Sequence, residues 1–207
     1  MFGFVREIGG IQMETFDRDQ IEQNIVRCPD PIAAEKMIDA IMAAKEDKDS
    51  LGGIIEIRAI NPPVGLGEPT FDKVEGLIGQ AMLSIPAVKA VEIGEGMSVV
   101  KQRGSQSNDS FRVEDGRVRA NTNNAGGTLG GLTTGEDIVV RIAVKPTSSI
   151  AQTQQTVTTS LEPTEILVEG RHDPSVAPRA VSVAEAMLAN VLADLVLRNR
   201  AARLDWD

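Results

Sequence analysis

The sequence predicts an α+β protein, and three observations carry the prediction. Apolar residues recur at helical spacing over Ile32 to Lys48, Phe71 to Leu83 and Val181 to Arg203. Short strand-like runs bounded by Gly, Pro and Asn lie among them, at Leu51 to Ile60, Ala87 to Ile93 and Ile138 to Val144. The first half therefore reads β-α-β-α-β, and the second adds hairpin signals before a last long helix.

In chain order, Phe2 to Met13 reads as one strand, with Phe4, Ile8 and Ile11 apolar and Gly9 and Gly10 allowing a bulge or close packing. A strand so close to Met1 reads as a chain entering in mid-domain. Thr15 to Asp30 is polar and reads as loop. Asp30-Pro31 is a helix start, with the carboxylate as N-cap and Pro at the first helical position. Met37, Ile38, Ile41 and Met42 form the apolar face of that helix, and its charged end, Lys45 to Asp49, reads as solvated. Asn61-Pro62-Pro63 stops the Leu51 to Ile60 strand. Phe71, Val74, Leu77, Ile78 and Ala81 share a face of the second helix, which Ser84-Ile85-Pro86 ends. Gly104 to Asn124 is polar and irregular, with a hairpin signal at Asp115-Gly116. Val157 to Ser160 and Glu165 to Val168 read as a strand pair bridged by Pro163. The last helix buries Ala184, Met187, Leu188, Val191, Leu192, Leu195 and Val196, and Arg198, Arg200 and Arg203 suit the negative end of its dipole. No tandem repeat or low-complexity linker divides residues 1–207, which read as one α+β unit or part of one.

Composition sets bounds. The 207 residues can bury a real core, and with only 3% aromatic residues that core must be aliphatic. A net charge of −9 argues against nucleic acid and against an anionic membrane surface, but allows a small anion in a local basic pocket. Cys28 is the only cysteine, so no intrachain disulfide and no cysteine-based zinc site is expected, and no metal is assigned. That fits a reducing cytosol. Met1 to Met13 has no secretory pattern, and no unbroken apolar run approaches a bilayer-spanning length. His172 is the only histidine, so chemistry needing two histidines requires another chain.

Three stretches between Asn123 and Arg179 can carry chemistry. Gly126-Gly127 and Gly130-Gly131 either let backbone approach a ligand or form a wide turn into the next strand. Neither a P-loop nor a dinucleotide fingerprint is present. Lys145-Pro146-Thr147-Ser148-Ser149 ends an apolar strand with one ammonium and three hydroxyls, a phosphate-suited set or an ordinary polar turn. Arg171-His172-Asp173-Pro174 offers a cation, an imidazole and a carboxylate. Asp173 is either a base or a turn residue before Pro174 with Arg171 as its ion partner.

Together these residues resemble chorismate synthases. Gly65-Leu66-Gly67-Glu68-Pro69, Ser84-Ile85-Pro86-Ala87-Val88-Lys89, Asn124-Ala125-Gly126-Gly127, Gly130-Gly131, Lys145 to Ser149 and Gly170 to Pro174 occur in the family's order, and Val183 to Ala189 continues the last. The resemblance implies a β-α-β sandwich with helices between antiparallel sheets, assembled as a homotetramer in the cytoplasm. It implies a lyase of the shikimate pathway and aromatic amino acid biosynthesis, converting 5-enolpyruvylshikimate 3-phosphate to chorismate by anti 1,4-elimination. The cofactor implied is reduced FMN, making the protein a flavoprotein, with NADPH as reductant in some members. Carried over by motif, Pro86, Ala87, Gly130, Lys145, Pro146, Thr147, Ser148, Ser149 and Arg171 match flavin contacts, and Asp173 matches the acid that helps proton transfer.

The family's amino-terminal motifs do not occur here: Gly-Glu-Ser-His, an arginine-rich substrate region and Arg-Ser-Ser-Ala-Arg-Glu. They carry two histidines with acid–base roles, and His172 is neither. Ser175 stands where many members have Cys. The chain thus resembles the carboxy-terminal portion of the enzyme, expected to be inactive or strongly impaired alone. The rival readings are a non-catalytic FMN-binding or assembly chain needing a separate amino-terminal half, a fragment without function, and an unrelated anion-binding protein.

Overall fold

The computed structural model describes residues 1–202. Its elements are β1 (Phe2–Ile8), β2 (Ile11–Gln12), a 3-10 turn (Arg18–Gln23), α1 (Pro31–Glu46), β3 (Gly53–Ala59), α2 (Val74–Leu83), β4 (Val88–Ile93), a second 3-10 turn (Gly96–Lys101) and α3 (Gly104–Ser107). There follow β5 (Phe111–Glu114), β6 (Arg117–Ala120), β7 (Thr128–Leu129), β8 (Leu132–Thr133), β9 (Ile138–Val144), β10 (Gln154–Val157), β11 (Pro163–Ile166) and α4 (Ala177–Ala201). This is the α+β composition read from sequence. Strand order in the largest sheet is β2-β1-β3-β9-β4, and the remaining strands form three hairpins, β5-β6, β7-β8 and β10-β11. Arg203 lies outside the described residues.

The chain divides into two compact units. One holds Met1–Gly3, Glu56–Ile142 and Val181 onward; the other holds Phe4–Ile55 and Ala143–Ala180. β3 and β9 pass from one to the other. In the second unit Phe4, Val5, Ile8, Cys28, Met37 and Ile55 are buried. The Phe4 and Phe16 rings meet at 5.2 Å in a tilted pair. α1 starts where the sequence placed it. Asp30 Oδ1 accepts from Ile32 N (3.0 Å) and Ala33 N (3.1 Å), and Asp30 Oδ2 from Glu14 N (2.9 Å) and Thr15 N (3.0 Å). One carboxylate therefore caps the helix and ties down the strand-to-loop passage ahead of it. The apolar face is shifted: of Met37, Ile38, Ile41 and Met42 only Met37 is buried, with Ala33, Ala34 and Ala44 beside it, while Ile38 and Ile41 are half-buried and Met42 is exposed.

In the first unit β9 alternates strictly, with Ile138, Val140 and Ile142 buried. Ile78 and Met82 of α2 and Leu188 and Leu195 of α4 complete that core. Each such side chain contributes about 1.5–3 kcal/mol of burial. Glu56 breaks the alternation read for β3, since it is 1% exposed. Arg141 Nε at 3.0 Å and an Arg58 guanidinium nitrogen at 2.6 Å neutralise it, and Arg141 also meets Glu92 at 3.4 Å.

Several element boundaries moved: α4 begins at Ala177, not Val181, and three other changes have an identifiable cause. The first strand is a hairpin, because Gly9 and Gly10 both take positive φ and turn the chain between β1 and β2. α2 begins at Val74, not Phe71. Glu68 N bonds back to Asp72 O and Val74 N to Gly131 O, and Phe71, at φ 64, is left 94% exposed. Pro163 opens β11 opposite Val157 instead of bridging the pair. The hairpin at Asp115-Gly116 is present, with Glu114 opposite Arg117.

As a window average, α4 is the one described helix long and apolar enough to cross a membrane, although no unbroken apolar run exists. Its buried stripe (Val181, Ala184, Leu188, Leu195) and its polar bonds are those of a helix packed on protein. Glu185 accepts from Gly3 N at 2.6 Å, Asn199 donates to Gly65 O at 3.2 Å and Arg198 meets Asp72 at 3.1 Å.

Candidate functional site

Within the second unit, the turn after β9 and the segment before α4 are tied to one loop, Asp49 to Gly53. Ser50 Oγ donates to Thr147 O at 2.6 Å, and Leu51 N donates to Pro174 O at 2.7 Å. Gly52 is required there: a Cβ would come within 2.6 Å of Val144 O and 3.0 Å of Pro146 Cδ. The Lys145 to Ser149 turn is thus fixed by its backbone, while its side chains stay uncommitted. Lys145 and Ser148 are exposed. Thr147 Oγ1 is buried and has no hydrogen-bond partner among the described residues. Gln154 Nε2 holds Ser148 O at 3.1 Å.

Asp173 makes a two-toothed ion pair with Arg179, at 2.7 Å for Oδ2 and 3.2 Å for Oδ1. Arg179, six residues on, is therefore the ion partner, and not Arg171 as the turn reading of Asp173 had it. Arg171 is exposed and, like Lys145, forms no ion pair among the described residues. His172 Nε2 lies 3.2 Å from Val168 O and, facing a carbonyl, carries the hydrogen. It clamps the end of the β10-β11 segment. A cavity of about 120 Å³ is lined by Lys45, Lys48, Ser50, His172 and Asp173, among others. That is space for a phosphate-sized group.

The other candidate residues belong to the first unit. Pro86 and Ala87 form the turn from α2 into β4. Ala87 sits at φ 70, a left-handed conformation that strains an L residue by about 1 kcal/mol. The glycine cluster resolves into separate tasks. Cβ atoms on Gly127 and Gly131 would come within 2.6 Å of Asp137 O and 2.8 Å of Glu68 O, and one on Gly126 would strike Gly94, so these three glycines serve close backbone packing. Only at Gly130 would a Cβ meet nothing within 4 Å. Gly130-Gly131, both at positive φ, make the two-residue turn of the β7-β8 hairpin, and Gly130 faces open space.

Two larger cavities, about 470 and 570 Å³, also lie in this unit; Asn124, Ala125 and Gly127 line the first and Ala125 the second, while Pro86, Ala87 and Gly130 line neither. The polar groups of the first are committed to the loop itself. Asp109 accepts from Asn124 N at 2.8 Å, Ala125 N at 2.9 Å and Thr122 Oγ1 at 2.7 Å, and Asn123 bonds Gly127 N and Asp137 O. Burial raises the Asp109 pKa, but these bonds outweigh it and hold the carboxyl below its ordinary range.

The sequence model of the family described as chorismate synthase matches residues 1–197. The chain belongs to the chorismate synthase family. It is 54% identical over 208 residues to the chorismate synthase of Chloroflexus aurantiacus (strain ATCC 29366 / DSM 635 / J-10-fl), covering 100% of this chain and 57% of that protein. It is 50% identical over 202 residues to the chorismate synthase of Methanosarcina mazei, covering 95% and 55%. A crystal structure of chorismate synthase superposes with a TM-score of 0.78 at 33% identity, covering 96% of this chain and 56% of that one. The chain thus spans a little over half the length of the chorismate synthases it matches, and its fold is theirs over that span.

Chorismate synthase chemistry requires a flavin, and Thr147 provides a test of fit. A buried hydroxyl without a partner costs about 1–3 kcal/mol unless something completes it. Thr147 Oγ1 stands in a backbone-locked turn that also carries Lys145, whose ammonium forms no ion pair among the described residues. This donor set fits the polar groups of a flavin nucleotide. Sequence reasoning missed Ser50 and Arg179. Ser50 sits in an Asp-Ser-Leu-Gly-Gly stretch that matches no motif, and Arg179 lies between the Arg171 to Pro174 motif and the helix read from Val181.

Proposed function

We propose that this chain carries the flavin-binding and proton-handling portion of a chorismate synthase, with residues 1–207 forming a carboxy-terminal part of that enzyme's domain. The reaction is the loss of phosphate from 5-enolpyruvylshikimate 3-phosphate by anti 1,4-elimination, giving chorismate for aromatic amino acid biosynthesis. Reduced FMN, when bound, lends electron density as phosphate leaves and recovers it afterwards.

This chain's side chains bind and orient. Lys145 and Arg171, exposed and unpaired, meet anionic groups of the flavin or of the substrate, which carries a phosphate and two carboxylates. Thr147, Ser148 and Ser149 supply hydroxyls, and Pro146 fixes φ in the turn that presents them. Gly130, Pro86 and Ala87 supply backbone that a planar ring can approach. Asp173 offers a carboxylate that takes or returns a proton. Arginines and two histidines from an amino-terminal portion complete the centre, within a homotetramer in the cytoplasm. NADPH or another reductant keeps the flavin reduced.

The observation that carries the reading is the unpartnered, buried hydroxyl of Thr147. Anaerobic titration of reduced FMN into the chain tests it. Thr147→Val is expected to weaken binding about tenfold while leaving the melting temperature unchanged or higher. Equal affinity in the variant would overturn the reading. The chain alone is expected to form no chorismate from 5-enolpyruvylshikimate 3-phosphate, and addition of an amino-terminal portion from a relative to restore turnover.

A further inference from the structure

We infer that Arg179 is a positioning residue for Asp173, holding its carboxylate in one plane. The inference rests on the flavin reading given above. A guanidinium fork grips both carboxylate oxygens, at 2.7 Å and 3.2 Å, and so fixes the rotation of the carboxylate plane. It occupies one lone pair on each oxygen and leaves the others free to accept. Among the described residues no other hydrogen bond reaches that carboxylate. The following residue, Pro174, has no N–H to give.

Arg179 is poorly placed for the helix that carries it. It lies in the first turn of α4, which has no acidic residue, and a cation there opposes the helix dipole. A residue serving helix stability would be Asp or Glu. The pair itself adds little stability, because the Arg179 side chain is 71% exposed and solvent screens the attraction. What remains is geometry: the arginine holds its position for what it does to Asp173. Arg171 stays free for anions because a different arginine holds the acid.

The test separates this role from a merely structural one by reading the oxidation state of the ligand. The reduced flavin ring presents an N–H donor where the oxidised ring has a bare acceptor nitrogen, so a correctly turned carboxylate favours the reduced form. The full chain and its Asp173→Asn, Arg179→Gln, Arg179→Lys and Asp173→Asn/Arg179→Gln variants are titrated anaerobically with reduced FMN and aerobically with oxidised FMN. The measured quantity is the ratio of the two affinities, and circular dichroism melting confirms folding. Asp173→Asn is expected to lower the ratio about tenfold, a charge-assisted hydrogen bond's worth. Arg179→Gln should lower it nearly as much, and the double variant no further, because the two act as one unit. Arg179→Lys, which keeps the charge and loses the fork, should fall between parent and Arg179→Gln. An Arg179→Gln ratio within twofold of the parent, or effects that multiply in the double variant, overturns the inference while leaving the flavin reading intact. Failure of the parent chain to bind either form of FMN overturns the flavin reading, and this inference with it.

Discussion

Two Asp-Pro pairs precede helices in this chain, and they are put to opposite uses. Asp30-Pro31 opens α1, and its carboxylate accepts four backbone N–H groups while only 4% exposed. Asp173-Pro174 precedes α4, and among the described residues its carboxylate accepts none and meets only the exposed fork of Arg179. The same dipeptide gives a structural cap in one place and, in the other, the carboxylate proposed above to handle a proton. The difference lies in what the backbone presents. Glu14 and Thr15 bring N–H groups from an earlier loop onto Asp30, whereas nothing comparable folds over Asp173. An acid whose lone pairs are all occupied by the fold cannot exchange protons with a ligand, so the less satisfied of the two is the one available for chemistry.

The largest expected difference between them is in stability. Asp30→Ala strands buried N–H groups and should lower unfolding free energy by about 3 kcal/mol, whereas Asp173→Ala should change it by less than about 0.5 kcal/mol. Urea denaturation monitored by circular dichroism measures both, and similar losses would erase the contrast. Acid sharpens it next. The bond from Glu14 N is the main cause that holds the Asp30 carboxyl far below its ordinary pKa, with Thr15 and Ala33 adding to it against the opposing effect of burial. A depressed folded pKa means that this stabilisation is complete above the ordinary value, about pH 4, and shrinks as pH falls towards the folded value. Stability of Asp30→Asn should therefore fall less steeply below pH 4 than that of the parent.

A smaller effect is expected beside the second acid. Ser175 Oγ is buried without a partner. Ser175→Cys replaces it with a small group that tolerates apolar surroundings and should stabilise by about 0.5–1 kcal/mol. A loss of stability would mean that something completes that hydroxyl. Smallest of all, Arg171→Ala should leave stability within about 0.5 kcal/mol, as expected of an exposed unpaired cation, while weakening reduced FMN or substrate binding.

Much of this was legible in the sequence because local chemistry decided it. Asp30-Pro31 announced α1, Asp115-Gly116 announced its hairpin, and the apolar run of Ile138 to Val144 announced β9. What the sequence concealed depended on contacts that spacing alone does not show. Glu56 looked like an outward strand residue, but Arg141, 85 positions away, allows its burial. Phe71 looked like the first apolar residue of α2, but the loop from Glu68 to Asp72 closes on itself and turns the ring outward. At the candidate site the motif residues were readable. The identity of the arginine on Asp173 was not, since Arg171 is nearer in sequence and Arg179 nearer in space. Nor could spacing distinguish Gly130, beside open space, from the three glycines whose missing Cβ lets backbones touch.

Cys28 stands two residues before the Asp30 cap and is fully buried, with its backbone N–H and carbonyl both held by the Asn24 side chain. Burial raises its thiol pKa, and the nearby Asp30 charge adds to that against the backbone bond from Asp30. In the native state the only thiol of the molecule is neither reachable nor ionised. A maleimide can therefore attach only during moments when this segment opens, and the rate of attachment counts those openings. The molecule carries an internal stopwatch beside the carboxylate that anchors α1, able to time its release at neutral pH and without denaturant.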